Sequence, residues 1–315
     1  STQRFNAMHT QRQEISCIIT VSTMIRGGGG IGSHVCGTAR SEQKPTRAKQ
    51  RIRRDIIMKF TFLGTCSGTE PMPGRHHQSF TVQVGGLVYW FDAGENCAHR
   101  AYTSGIDVTR VRAVFISHMH IDHIGGLANL MMTIRKVTKR TGVPHVNDAY
   151  DIYVPDPEKL QAVKCIAEIP REATRGPVAM YEHPVCDGLL FEDEHLRVSA
   201  LHNTHLRETG EHGWHSYSYL IEGKADGIRV VFSGDVQTPT ELDPLVGEGC
   251  DALIMETGHH TVADACDYVR ARPIRQLLLT HHGREILGDP NAARRLLAER
   301  GVSGRVLEDG NVIEM

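Results

Sequence analysis

The sequence predicts an α/β domain with mixed β-sheets, preceded by a basic extension. Two observations lead there. From Met58 onward, short alternating or wholly apolar runs recur between glycine-marked turns and amphipathic helical stretches. Over 315 residues, 40% apolar and 23% charged content is that of an ordinary globular chain, long enough to bury a full core. A disordered or collagen-like chain is thereby excluded, and no apolar run reaches the roughly 18 residues of a membrane span.

In chain order, Lys59–Leu63 alternates as a strand and stops at Gly64. Phe80–Val84 and Val88–Phe91 flank Gly85-Gly86 as a hairpin. Val111–Ile116 reads as a buried strand, followed by a loop and an apolar helical run from Ile124 to Arg135. Further strands are predicted at Leu196–Ala200, Ser216–Ile221, Arg229–Phe232, Ala252–Met255 and Gln276–Leu279. Helices are predicted at Val262–Arg270 and Pro290–Glu299, the second with Pro at its start. Residues 136–195, rich in Pro and charge, read as an insertion or a variable lobe.

The near-zero net charge hides an asymmetry. Residues 1–57 carry ten basic and three acidic residues, which leaves 58–315 at −9. With the run Gly27–Gly30 and no sustained apolar period, 1–57 reads as a disordered extension outside the folded domain, with Met58 the expected native start. Its Arg-rich, acid-poor composition also suits an organellar transit peptide. Eight cysteines (17, 36, 66, 97, 165, 186, 250 and 266) form no C-x-x-C pair. A zinc ribbon or a disulfide scaffold is therefore not expected, and a reducing, cytoplasmic setting is.

Nineteen histidines direct attention to metal or acid–base chemistry. The densest group is Ser117-His118-Met119-His120-Ile121-Asp122-His123, directly after a predicted strand. In extended chain, His118 and His120 lie on the same side, so both imidazoles can reach one ion. Asp122 and His123 follow where a helix starts and can serve a second. A site with imidazole and carboxylate ligands and no thiolates suits a catalytic zinc.

This H-x-H-x-D-H motif resembles the defining motif of the metallo-β-lactamase-fold hydrolases. Their other ordered motifs have counterparts in Asp92 of Trp90-Phe91-Asp92-Ala93-Gly94, His205 of Asn203-Thr204-His205, Asp235 of Phe232-Ser233-Gly234-Asp235 and His281 of Leu279-Thr280-His281. The resemblance spans residues 58–315 and implies a four-layer αββα sandwich. It implies one zinc on His118, His120 and His205, a second on Asp122, His123 and His281, and Asp235 shared between them. Asp92 would orient the cluster from behind. A hydroxide between the two ions would then be the nucleophile.

Phe62-Leu63-Gly64-Thr65-Cys66-Ser67-Gly68-Thr69-Glu70-Pro71 resembles the first strand and loop of the ribonuclease Z group, and the Pro71…Arg75…Ser79 spacing resembles its substrate-side loop. Pro73 stands where that group has Lys, and His76 where it has Asn. Gly258-His259-His260-Thr261-Val262-Ala263 resembles the group's Gly-His-Ser-Thr-Ala stretch. This implies His259 as general acid, with His260 as the alternative, and Glu256 as its partner carboxylate. The catalytic set is then Asp122, His259, Glu256 and Asp92. No Gly-Pro-rich tRNA-binding arm is evident beyond Arg175-Gly176-Pro177, and the −9 domain is a poor polyanion binder.

The expected function is a dinuclear zinc phosphodiesterase of the ribonuclease Z-like kind, acting on RNA or on a small phosphodiester such as a cyclic nucleotide. Homodimers are common in the group. Three other readings stand beside it. One is a same-fold hydrolase of a carboxylic ester, thioester, lactone or lactam. Another is a diiron redox protein, disfavoured because such relatives place an acid where His120 stands. The last is a binding module without catalysis, disfavoured by the intact ligand set.

Overall fold

A computed structural model describes residues 57–68, 72–170, 177–206 and 213–315. All of the basic extension except Ile57 lies outside the described residues, as do Thr69, Glu70, Pro71, Arg175 and Gly176. The strands in chain order are β1 (Lys59–Gly64), β2 (Ser79–Val84), β3 (Leu87–Phe91), β4 (Val111–Phe115), β5 (Ala149–Val154), β6 (Ala179–Pro184) and β7 (Gly188–Glu192). There follow β8 (Leu196–His202), β9 (Tyr217–Gly223), β10 (Arg229–Phe232), β11 (Ala252–Thr257), β12 (Leu277–His282), β13 (Gly304–Val306) and β14 (Val312–Glu314). The helices are α1 (Cys97–Thr103), α2 (Ile121–Ile124), α3 (Leu127–Thr141), α4 (Pro157–Ile166), α5 (Asp243–Val246), α6 (Val262–Arg270), α7 (Arg284–Gly288) and α8 (Pro290–Glu299).

Two seven-stranded mixed sheets result, ordered β14-β1-β2-β3-β4-β5-β6 and β13-β12-β11-β10-β9-β8-β7. The period of two assigns each side chain its layer. In β3, Tyr89 and Phe91 enter the core between the sheets, whereas Val88 and Trp90 face helices α1 and α3. In β10, Val230 and Phe232 enter the same central core and Val231 faces the helices of the second half. Phe80 stacks on Phe91 at 5.0 Å and meets Phe232 edge-on at 5.0 Å, so aromatic contacts from both sheets fill the middle. Helices cover both outer faces, and the chain has the αββα sandwich of the metallo-β-lactamase fold.

Local chemistry explains several boundaries. Gly85 (φ 59°) and Gly86 (φ 76°) supply the two left-handed positions of the β2–β3 turn. Thr261 and Asp264 form a reciprocal capping box that starts α6 at Val262. The Asp289 carboxylate accepts from the N–H groups of Asn291 and Ala292, and Pro290 opens α8.

One expectation is corrected. Residues 136–195 are not a separable lobe: β5 and β6 complete one edge of the first sheet and β7 starts the second. Their strands read poorly because they lie toward the sheet edges, where outward positions are polar. Tyr181, Glu182 and His183 of β6 are exposed or half-buried. The helix after the His cluster also runs on to Thr141, and its Lys136, Lys139 and Arg140 lie on an exposed face. Among the described residues no helix is long and apolar enough to cross a membrane, and none of the six described cysteines forms a disulfide.

Candidate metal centre

The parallel pairs β3/β4 and β10/β11/β12 end at one edge, where the polar residues are delivered. Asp92 follows β3, the 117–123 cluster follows β4, and His205 lies three residues past β8. Asp235 lies three residues past β10, and His281 is in the last turn of chain of β12. Main-chain pairing between the halves brings these ends together: Tyr217 N donates to Ser117 O at 2.9 Å, and His118 bridges to Ser216.

Seven expected ligands converge. His118 Nε2 lies 3.0 Å from His120 Nδ1, and His205 Nε2 lies 3.3 Å from the same atom. Asp235 Oδ2 stands 3.8 Å from both His118 Nε2 and His205 Nε2. On the other side, His281 Nε2 is 3.1 Å from Asp122 Oδ2 and 3.2 Å from His123 Nε2. Asp235 Oδ1 is 3.4 Å from His123 Nε2 and 3.4 Å from His281 Nδ1, so this one carboxylate faces both groups. The donor atoms of each group lie within 4.8 Å of one another.

These residues fit divalent cations. Asp235 Oδ1 and His281 Nδ1 are buried with no hydrogen-bond partner among the described residues. Unpaired buried polar atoms are costly, and a cation satisfies both at once. Several imidazole nitrogens also converge at 3.0–3.3 Å from one another, a clustering of donor atoms that a shared cation would hold. The donors are imidazoles and carboxylates without thiolates.

Burial would lower His281, but the charge of Asp235, the hydrogen bond to Asp122 and the nearby Glu256 carboxylate outweigh it, lifting the imidazole to about 9. Burial likewise opposes His123, yet Asp235 and Asp92 hold it well above its ordinary value. His118, His120 and His205 are instead lowered, first by burial, which favours the neutral imidazole that a metal ligand needs.

Behind the ligands, Asp92 is fully buried. Its Oδ1 accepts from Ser117 N at 2.7 Å, and its Oδ2 accepts from Ser117 Oγ at 2.8 Å and lies 2.8 Å from His123 Nδ1. That leaves His123 Nε2 for the centre. Asp92 adopts φ 52°, a left-handed conformation that Asp tolerates better than most residues. Close approach also requires glycine. A Cβ on Gly68 would lie 2.8 Å from Asp122 Cγ, and one on Gly258 would lie 2.7 Å from His281 Nδ1.

Glu256 is fully buried and sits in β11, which runs two residues beyond the predicted strand Ala252–Met255. Its Oε1 is 3.2 Å from His259 Nδ1 and 3.5 Å from His260 Nε2, and its Oε2 is 3.8 Å from His281 Nδ1. His260 turns inward, with Nε2 2.9 Å from Val236 O, whereas the His259 ring is part-exposed, 3.7 Å from Asp235 and 4.8 Å from the His205 ring. Of the adjacent pair, His259 therefore borders the centre. Adjacent His282 also turns away, its Nε2 2.8 Å from Leu307 O.

Three contributors were missed by the sequence reading. Ser117 ties Asp92 to the cluster, and its place directly before His118 was the available signal. Asn203 Oδ1 accepts from His205 N at 3.2 Å, and Glu241 Oε1 accepts from Thr204 N at 2.9 Å. Nothing in the spacing announced Glu241, 37 residues away.

The family model described as Anti-Pycsar protein Apyc1 matches residues 58–285, more than half of the chain. The chain belongs to that family. Among its relatives, Ribonuclease Z of Methanothermobacter thermautotrophicus is 25% identical over 71% of this chain and 86% of its own. A Bacillus subtilis metallo-β-lactamase-fold protein, YhfI, superposes with a TM-score of 0.64 at 19% identity, covering 82% of this chain and all of that one. Human tRNase Z, short form, gives 0.59 at 22% identity, covering 81% and 98%. The chain is thus an Apyc1-family protein of ribonuclease Z-like, metallo-β-lactamase-fold type.

Proposed function

We propose that this Apyc1-family chain is a dinuclear zinc-dependent phosphodiesterase, its hydrolase domain spanning residues 58–315. The observation that carries the reading is the Glu256–His259 pair standing beside Asp235, the residue that faces both ligand groups. The names of its relatives, Ribonuclease Z and tRNase Z among them, support the same reaction class. His118, His120 and His205 would hold one ion and Asp122, His123 and His281 the other, with Asp235 serving both. Bound zinc would supply Lewis acidity and lower the pKa of water toward about 7.

The rest follows from the chain's own groups. Five imidazoles and two carboxylates hold two dications with four positive charges but contribute only two negative ones. The surplus favours an anionic phosphodiester over a neutral carbonyl ester. Asp92 fixes the orientation of His123, and Asn203 and Glu241 fix the loop bearing His205. A hydrogen bond to Glu256, acting against partial burial, raises His259 above its ordinary value. With Nδ1 directed at Glu256, the proton offered to the departing oxygen sits on His259 Nε2.

Metal analysis of purified protein should return about two zinc per chain, as a two-metal hydrolase requires. Bis(p-nitrophenyl) phosphate should be turned over in preference to p-nitrophenyl acetate. His259→Ala should cut phosphodiester turnover by about 10²–10⁴ while metal content holds. Undiminished phosphodiester turnover in His259→Ala would overturn the assignment.

A further inference from the structure

Beside the centre lies a cleft of about 450 Å³, lined by Cys66, the stretch Met72–His77 and Glu95. Its position is fixed by main chain shared with the ligand groups. Cys66 pairs with both His77 and His282, and Ser67 N donates to His282 O at 3.2 Å. The Gly68 Cα approaches Asp122, and Gly94, next to Glu95, packs between the Asp122 carbonyl and the His77 main chain. The cleft thus adjoins the Asp122–His281 half of the centre.

Its walls are braced. The buried Asp309 carboxylate accepts from Thr65 Oγ1 at 2.8 Å and from His76 N at 2.7 Å, and lies 2.8 Å from His76 Nδ1. His76 Nε2 is 3.0 Å from Asn96 Nδ2, so the residue standing in place of the usual Asn is committed to the scaffold. Arg75 is committed too: its guanidinium donates to Thr65 Oγ1 at 3.0 Å and Leu307 O at 3.1 Å, with Glu308 at 3.9 Å. What remains is His77, with Nδ1 3.7 Å from Glu95 Oε2, and Glu95 itself, whose side chain is 69% exposed. Among the described lining residues the one guanidinium is held by internal partners, and the exposed polar head in the cleft is an anion.

We infer that Glu95, with His77 behind it, determines which phosphodiesters are accepted. The assignment rests on the phosphodiesterase reading. A carboxylate only accepts hydrogen bonds and repels a second phosphate, so this cleft selects an uncharged neighbour bearing O–H or N–H donors. A volume near 450 Å³ suits a group of nucleoside size. Selection here is by charge next to the scissile phosphate, and Glu95 is a specificity residue, not a proton carrier.

The test compares thymidine 5′-(4-nitrophenyl phosphate) with the same compound carrying a 3′-phosphate, on zinc-loaded full-length protein. Wild type should favour the first by about tenfold or more in kcat/KM, as one like-charge contact near a surface implies. Glu95→Gln should narrow that ratio and Glu95→Lys should invert it, the change lying in KM and not in kcat. Glu95 is exposed, so both variants should keep the wild-type melting temperature. Turnover of both compounds with a ratio unmoved in either variant overturns the role of Glu95 alone. Failure of the zinc-loaded wild type to cleave either compound overturns the phosphodiesterase reading, and this assignment with it.

Discussion

Glu256 Oε2 accepts a hydrogen bond from the main-chain N–H of His259 at 2.9 Å, while its Oε1 lies 3.2 Å from the ring Nδ1 of the same residue. One carboxylate so fixes both backbone and side chain of the candidate acid. Glu256 is itself fully buried, and hydrogen bonds from His259, with His281 close by, overcome burial to hold it at about 2. It is therefore a permanent anion. Glu256→Gln keeps the shape and removes that charge. At saturating zinc, kcat on a phosphodiester should fall about 10²-fold, within the range for a misdirected acid. A kcat equal to wild type would show that the pair is not used.

At Gly258 the main chain passes close to the His281 ring. An alanine methyl there would lie 2.7 Å from Nδ1 and 2.9 Å from Cε1, closer than packed atoms allow. Because His281 is held at φ 48° and is buried, it can yield only by leaving its place. Gly258→Ala should weaken one of two zinc sites by about 10–100-fold, read by competition with a chromogenic chelator. Two unchanged affinities would count against His281 as a ligand.

Asp92 touches Ser117 and His123 rather than the open side of the centre. Asp92→Ala removes three hydrogen-bond partners and leaves an alanine at φ 52°. Asp92→Asn tolerates that backbone and keeps one acceptor oxygen. Metal affinity should fall in the order wild type, Asn, Ala, with the Ala variant also melting earlier. Titration calorimetry and thermal melts of chelator-treated protein check both.

His145 is a weak point at acid pH and lies away from the centre. It is 3% exposed, and neither ring nitrogen has a hydrogen-bond partner among the described residues. Burial, against the opposing charges of Asp148 and Asp107, lowers it to about 4. The unfolded chain, with an ordinary imidazole near 6.5, takes up a proton first as pH falls. Stability linked to His145 is thus full above about 6.5 and is lost progressively toward pH 4. His145→Leu should flatten that part of the curve, measured by urea melts at pH 7, 6 and 5. An acid slope identical to wild type would refute the linkage.

The amino-acid sequence by itself determined the local matters. Strand periodicity placed β1 to β4 and β8 to β12, because buried strands carry their layer assignment in every second residue. The capped helices α6 and α8 were legible to the residue, since Thr261, Asp264, Asp289 and Pro290 act within a few residues. The ordered motifs named all seven residues that converge. Only tertiary structure shows that His259 and not His260 borders the centre, because adjacent residues differ in the direction the main chain gives them. It also moved residues 136–195 from a lobe into both sheets, where polar edge strands obscure the pattern. And it committed Arg75 and His76 to Asp309 and its neighbours, leaving Glu95 to face the cleft. That last assignment joins positions more than 200 residues apart, and a side chain's partners at such range depend on the packed fold.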